Sequence, residues 1–245
     1  MKSFSFVTCV ALLLTGCAPT LAPHGPYLPI LRSRGEVEAR VSTGLAGSEL
    51  QAGYQATSRL VLHAAFLNYG RSNTSQRFRS ADLGLGYYYL LPNERWRLGL
   101  HAGLAQGAGT SGSTSCFECG SSGLSSTYVV RYQYAYAQPT VLFLDDKLTL
   151  GLGVRLGLAR YQQLDEVRFD FLGDQVDAAN YVGHQATFLQ PVVQLSFRVL
   201  PWLALSTSSG LQFFVGPRNR LNDMQPLVGQ VGLHLIVGKQ PATQP

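Results

Sequence analysis

Glu36, Glu38, Arg40, Glu49, Asp82, Arg97, His101, Arg131 and Arg155 are predicted to share one phase of an alternating pattern, alongside glycine, alanine and glutamine and opposite leucine and valine. Arginine's planar fork suits bidentate contact with carboxylates, and a charge enclosed without a partner is very costly. The first expectation is therefore a polar network of ion pairs crossing an enclosed interior. If part of that interior is wet, the same charges would filter small solutes. A second set, His184 with Asp170, Asp174, Asp177 and Ser125, has residue types used in hydrolysis. Catalysis needs a nucleophile, a base and an orienting partner within hydrogen-bond reach, and no spacing selects them here, so no catalytic residue is expected. His63, His101 and His234 lack metal-ligand spacing, and no metal or cofactor is expected. The runs GLGVRLG and GLGYYYL are not phosphate loops, because no helix follows either.

Cysteine is the other reactive side chain. Met1 to Gly16 carries Lys2 and then an apolar run from Phe4 to Leu14, the layout of a cleaved secretory signal and too short to cross a bilayer as a helix. Leu14-Thr15-Gly16-Cys17 resembles the lipobox of bacterial lipoproteins, which implies cleavage before Cys17 and acylation of its sulfur. At about 0.8 kcal/mol per buried methylene, several acyl chains make a stable anchor. Cys9 would leave with the signal, so Cys116 and Cys119 remain in the Gly/Ser-rich run GAGTSGSTSCFECGSSGLSS. In an exported chain that pair is expected to form a loop disulfide; zinc would need further ligands, and a thioredoxin-type site would need a helix.

The elements that hold these residues are strands. Charged residues are only 13% of the chain, while glycine (26), tyrosine (12) and phenylalanine (12) are abundant, which makes a normal water-facing surface hard to build. The basic excess is arginine scattered one or two per segment, with lysine only at 2, 147 and 239, so nucleic-acid binding is excluded. Ala18 to Arg34, with prolines at 19, 23, 26 and 29, reads as an extended tether. Beyond it the alternation is sustained. Leu148, Leu150, Leu152, Val154, Leu156 and Leu158 oppose Thr149, Gly151, Gly153, Arg155, Gly157 and Ala159, and the segments 81–91, 95–106 and 227–237 repeat the pattern. Pro139 is expected to bulge or end the strand that contains it.

The second face decides the solvent. It holds glycine, alanine, glutamine and isolated charges, which suit a narrow barrel interior, so the smooth leucine and valine face is expected to meet lipid. Very short gaps near Thr57-Ser58, Pro92 to Glu94, Asp145-Asp146 and Leu200-Pro201 alternate with long ones at 70–76, 107–125, 165–181 and 216–225. Short turns at one end and long loops at the other mark outer-membrane barrels. Trp96 and Trp202 each follow a short turn and are expected to form an aromatic girdle. The predicted fold is all-β, a single antiparallel up-and-down transmembrane β-barrel of about ten strands, eight to twelve being allowed.

The lipobox, the start RSRGEVEARVSTG and the alternating strands together resemble uncharacterised outer-membrane β-barrel lipoproteins of Bacteroidota-type Gram-negative bacteria, although the chain ends in KQPATQP without a terminal aromatic. The expected organisation is a signal (1–16), a lipidated Cys17 with its tether (17–34), a barrel (35–238) and a polar tail (239–245). Both termini are expected on the periplasmic side, with outer-membrane lipid and the barrel-assembly and lipoprotein-sorting machineries as partners. The leading functional expectation is a structural or surface-interaction role with a plugged lumen, the long loops offering a site for a surface partner or glycan. The alternatives are a narrow pore for small solutes, a lipid-tethered soluble barrel binding an apolar ligand, and an outer-membrane protease or lipid-modifying enzyme.

Overall fold

The computed structural model describes residues 21–22, 24–44, 47–70, 77–92, 95–113, 125–170, 174–215 and 227–238. The strands are β1 Val37–Gly44, β2 Gly47–Gln55, β3 Leu60–Gly70, β4 Arg77–Leu90, β5 Trp96–Ser113, β6 Ser125–Leu144, β7 Leu148–Phe169, β8 Gln175–Asn180, β9 Gln185–Leu200, β10 Leu203–Leu211, β11 Phe213–Val215 and β12 Leu227–Val237. Neighbours pair antiparallel in chain order, β7 skips to β9, and β12 pairs with both β10 and β1. The result is a closed up-and-down barrel of 10 strands. β8 pairs only with the outer end of β7, at Asp165–Phe169, so this hairpin stands above the wall; β11 continues the line of β10 against β9. Part of the long loop expected at 165–181 is thus strand.

Alternation survives in the walls because each strand has two chemically different faces. Leu83 and Leu104 are 67% and 68% exposed, and the leucines and valines from Leu148 to Leu158 of β7, with Val193 and Leu195 of β9, Leu205 of β10 and Val231, Leu233 and Leu235 of β12, face the same outward side. So large an exposed apolar surface is untenable in water. A closed wall leaves no backbone donor or acceptor unpaired at an edge, as hydrocarbon requires. The molecule is a transmembrane β-barrel of the outer-membrane type. Trp96 and Trp202 are both exposed at the short-turn end. β6 runs through Pro139, which keeps its place opposite Leu100 of β5, while the paired register toward β7 skips Gln138 and Pro139. Without an N–H, Pro139 cannot donate to the ladder on the β7 side.

Several expectations are corrected. Arg131 faces outward: on β6 it is Tyr128, Val130, Tyr132, Tyr134 and Tyr136 that point in. Residues 21–34 are not an external tether, since Leu21, Ala22, His24, Tyr27, Leu28, Ile30 and Leu31 are all buried inside the barrel. The expected disulfide is withdrawn. No disulfide occurs among the described residues, Cys116 and Cys119 lie outside them, as does Cys17, and the wall closes by backbone pairing of β12 with β1.

Candidate functional site

The site is the lumen with the N-terminal segment threaded through it. Ala22 lies at the long-loop end, its carbonyl accepting from Tyr132 Oη at 3.5 Å. Ten residues further on, Arg32 meets the backbone carbonyl of Asp145 in a short turn at the opposite end. An extended chain covers about 3.1–3.3 Å per residue, so these ten steps reach up to about 33 Å, enough to cross the apolar height of a barrel, about 25 Å. Gly35, at φ +84°, turns the chain out of the lumen and into β1, a conformation only glycine adopts freely. Leu21 therefore sits at the long-loop mouth, whereas both chain ends were expected at the short-turn end. The exit of β12 lies at the short-turn end, with Val237 beside Val37, and the termini themselves lie outside the described residues.

A backbone enclosed in a barrel must find partners for its polar groups. Pro26 and Pro29 carry no N–H at all. The remaining partners are of three kinds. Carboxylates accept from N–H groups: Glu49 Oε2 from Gly25 at 3.0 Å, Glu38 Oε2 from Ile30 at 3.0 Å, and Glu36 Oε2 from Arg32 at 2.6 Å and Ser33 at 3.0 Å. Glutamine amides donate to carbonyls: Gln190 to His24 at 2.9 Å, Gln51 to Gly25 at 2.7 Å, Gln138 to Tyr27 at 2.9 Å and Gln194 to Leu28 at 3.0 Å. Arg97 Nη1 donates to Leu31 O at 2.8 Å.

The buried arginines set the direction of those amides. Arg40 Nη1 donates to Gln194 Oε1 at 2.8 Å and Gln51 Oε1 at 3.4 Å, and Arg155 Nε donates to Gln138 Oε1 at 3.0 Å. With the amide oxygens of Gln51, Gln138 and Gln194 held by cations, their amide nitrogens are turned toward the segment. The expected ion-pair network is thus largely a cradle. Among the described residues, Asp82 and Arg155 form its one arginine–carboxylate pair inside the lumen, at 3.1 Å, joined by Tyr136 Oη donating to Asp82 Oδ1 at 2.7 Å. His24 adds a link from the segment, its Nδ1 at 2.8 Å from Glu49 Oε1 and its Nε2 at 2.6 Å from Ser80 Oγ.

Side-chain packing locks the middle. The Tyr27 ring stacks on His63 at 4.7 Å and meets His101 edge-on at 6.0 Å, while His101 bonds Tyr88. Inward glycines make the room: a Cβ on Gly151 would stand 3.1 Å from the Leu28 side chain. Above the ring layer, Leu21 and Ala22 pack among the inward tyrosines of β6 with Phe78, Tyr161 and Phe188; below it, Leu28, Ile30 and Leu31 pack with Val61, Leu142 and Ile236.

At the long-loop mouth, Glu166 accepts from Arg168 Nε and Nη2 at 2.8 and 2.9 Å, from Tyr128 Oη at 3.1 Å and from Tyr181 Oη at 3.2 Å. Partial burial works against its charge, but the Arg168 hydrogen bonds and cation prevail and hold the carboxyl below its ordinary range. Of the residues considered for hydrolysis, His184 stacks on Tyr161 at 6.1 Å, Asp177 is held by Arg168 at 3.2 Å, and Asp170 Oδ1 accepts from the backbone of Asp174.

Sequence reasoning missed His24, Tyr27 and the four glutamines. The signal was the density of Leu, Tyr and Ile in LAPHGPYLPILRS, too apolar for a solvated tether, together with glutamine recurring on inward strand positions.

No protein-family model matches the chain, and no curated protein matches its sequence. Among solved structures it resembles the outer-membrane protease OmpT of Escherichia coli at 11% identity and a TM-score of 0.45, over 82% of this chain and 90% of that one. The N-terminal β-barrel domain of Pseudomonas aeruginosa OprF gives 11% identity and a TM-score of 0.34, over 83% and 98% of the two chains. The NanC porin gives 10% and 0.36, over 82% and 98%. Likeness at this level transfers no role.

Proposed function

We propose that the protein is an outer-membrane channel for small polar solutes, held shut by its own N-terminal segment. The observation that carries this is the division of labour in the lumen. The wall supplies carboxylates, amides and guanidinium groups at successive levels, and a separable stretch of chain supplies the filling. A barrel meant only as a solid scaffold has no need of such a wall, since larger inward side chains would fill it directly. With the segment withdrawn, the conduit would be about one extended chain wide and lined by Glu36, Glu38, Glu49, Arg40, Arg97 and Arg155.

Planar-bilayer recording of the full chain and of a variant lacking residues 21–34 tests the reading. The full chain should stay closed with rare openings, and the variant should conduct in discrete steps that a synthetic peptide of residues 21–34 blocks. A variant that folds, by heat-modifiable gel migration, yet stays silent would refute it. That outcome would favour a second reading, a permanently plugged barrel serving display, which the burial of Tyr27 between His63 and His101 supports. Long loops facing the exterior and delivery by the assembly machinery belong to the channel proposal, whereas acylation at Cys17 with lipoprotein sorting belongs to the permanently plugged reading, because a lipid held at the long-loop mouth would fix the segment at both ends.

A further inference from the structure

Cationic side chains collect on the outer wall where none is needed for the lumen. Arg77 and Arg79 on β4, Arg131 on β6 and Arg160 on β7 are all exposed, near the long-loop end of their strands. The register sets Arg79 opposite Ala108, and Ala108 opposite Arg131; one row nearer the membrane centre, Ala81, Gln106, Gln133 and Arg160 lie side by side. Among the described residues, no carboxylate pairs with any of the four; Asp165, the nearest acid in this phase, is held by Gln163 and Asn180. The short-turn rim differs, since there Lys147 stands beside Asp145 and Asp146.

The wall beneath the arginines is indented. Ala81, Ala102 and Ala135 interrupt the leucine belt and open a groove of about 1000 Å³, walled by Leu83, Leu104 and Leu158 and closed at its upper edge by Arg160. A smaller recess of about 290 Å³ continues it upward between Arg79 and Arg131, with Gln106 and Gln162 at its sides. Apolar groove, amide row and guanidinium row follow one another along the membrane normal, the order in which an amphiphile presents acyl chains, polar linkage and anionic head. The cationic rows cross β4 to β7, three strand spacings of about 4.8 Å, wide enough for two phosphate groups side by side. Guanidinium is the cation best shaped for phosphate.

We infer that this face binds a lipid of the leaflet on the long-loop side, one with several acyl chains and a headgroup carrying more than one phosphate. The inference rests on the membrane-barrel reading alone and is independent of whether the lumen opens.

Native mass spectrometry of the detergent-solubilised full chain tests it, with a bisphosphorylated, multiply acylated glucosamine disaccharide as probe. The dephosphorylated lipid and inorganic phosphate serve as the other arms. The bisphosphorylated lipid should bind, the dephosphorylated lipid at least tenfold more weakly, and inorganic phosphate should not displace it. Arg79→Gln with Arg131→Gln should lose at least tenfold in affinity, and Arg79→Lys with Arg131→Lys should recover part of it; both variants should keep heat-modifiable migration and the conductance of the parent. Equal binding of the dephosphorylated lipid, displacement by phosphate alone, or an unchanged Gln double variant would overturn the assignment.

Discussion

Replacing Glu49 with glutamine isolates the grip of the wall on the N-terminal segment. Glu49 Oε1 accepts from His24 Nδ1 at 2.8 Å, and Oε2 accepts from Gly25 N at 3.0 Å and from Gln230 Nε2 at 2.8 Å. Two of these three donors belong to the segment. An amide of the same shape removes the charge from both bonds to the segment, which fall from charge-assisted to neutral whichever tautomer His24 takes. Hydrogen bonds to a charged partner contribute about 1.5–3 kcal/mol each. Every 1.4 kcal/mol is a factor of ten. The closed-to-open equilibrium should therefore shift about 10- to 100-fold toward open, because Glu49 itself stays in the wall and contacts the segment only in the closed state. Single-channel recording of Glu49→Gln against the parent reads this as open probability. Glu166→Gln, whose bonds go to the mouth and not to the segment, is the control and should leave open probability unchanged. An unaltered open probability in Glu49→Gln, with heat-modifiable migration intact, would refute the cradle argument.

Three further outcomes follow from the same geometry. Gly25→Ala places a Cβ 2.6 Å from Gln230 Oε1 and 2.9 Å from Glu49 Oε2, so overpacking of about 1–3 kcal/mol should loosen the segment and speed its cleavage by added protease. Asp82→Ala leaves Arg155 enclosed without its carboxylate and should lower unfolding stability in urea by about 3–5 kcal/mol, much of which Asp82→Ala with Arg155→Met should restore. The folded Glu166 carboxyl titrates below its unfolded value, so its contribution is complete above the ordinary glutamate pKa of about 4.3 and is lost as pH falls through the lower folded value. The protection factors of the β8 amides, measured against the intrinsic exchange rate at each pH, should accordingly fall in acid, and do so less in Glu166→Gln.

The barrel was legible because most of its wall strands obey one rule: leucine or valine out, glycine or a polar group in. β7 shows it from Leu148 to Ala159. The rule fails on β6, where tyrosines face in and Val129, Arg131, Gln133 and Ala135 face out. Both faces there are amphipathic, so the phase of Arg131 could not be read from residue type. It is decided by the packing of Leu21 and Ala22 against the tyrosines, a contact across more than a hundred residues of sequence. The segment itself was hidden by its prolines. They signal extended chain, which is correct, but extended chain in water and extended chain in a lumen differ only in what satisfies the backbone. Here the answer is glutamines and glutamates spread over several strands, individually unremarkable in sequence.

The threading also constrains where a lipid on Cys17 would reside. From Leu21, at the long-loop mouth, four residue steps lead back to position 17, a reach of at most about 14 Å. The apolar height of a barrel is about 25 Å. Acyl chains on Cys17 therefore could not enter the leaflet at the short-turn end while residues 21–34 remain in the lumen; they would enter the leaflet at the other end. A lumen this densely packed admits no acyl chains afterwards, so the segment must be in place before β12 pairs with β1 and the wall closes. An epitope inserted between Cys17 and Leu21 should be labelled by antibody on intact cells, and Tyr27→Asp, which weakens the seating between His63 and His101, should reduce that labelling. Labelling only after permeabilisation, with the barrel folded and the lipid attached, would show that the segment is not threaded from the exterior.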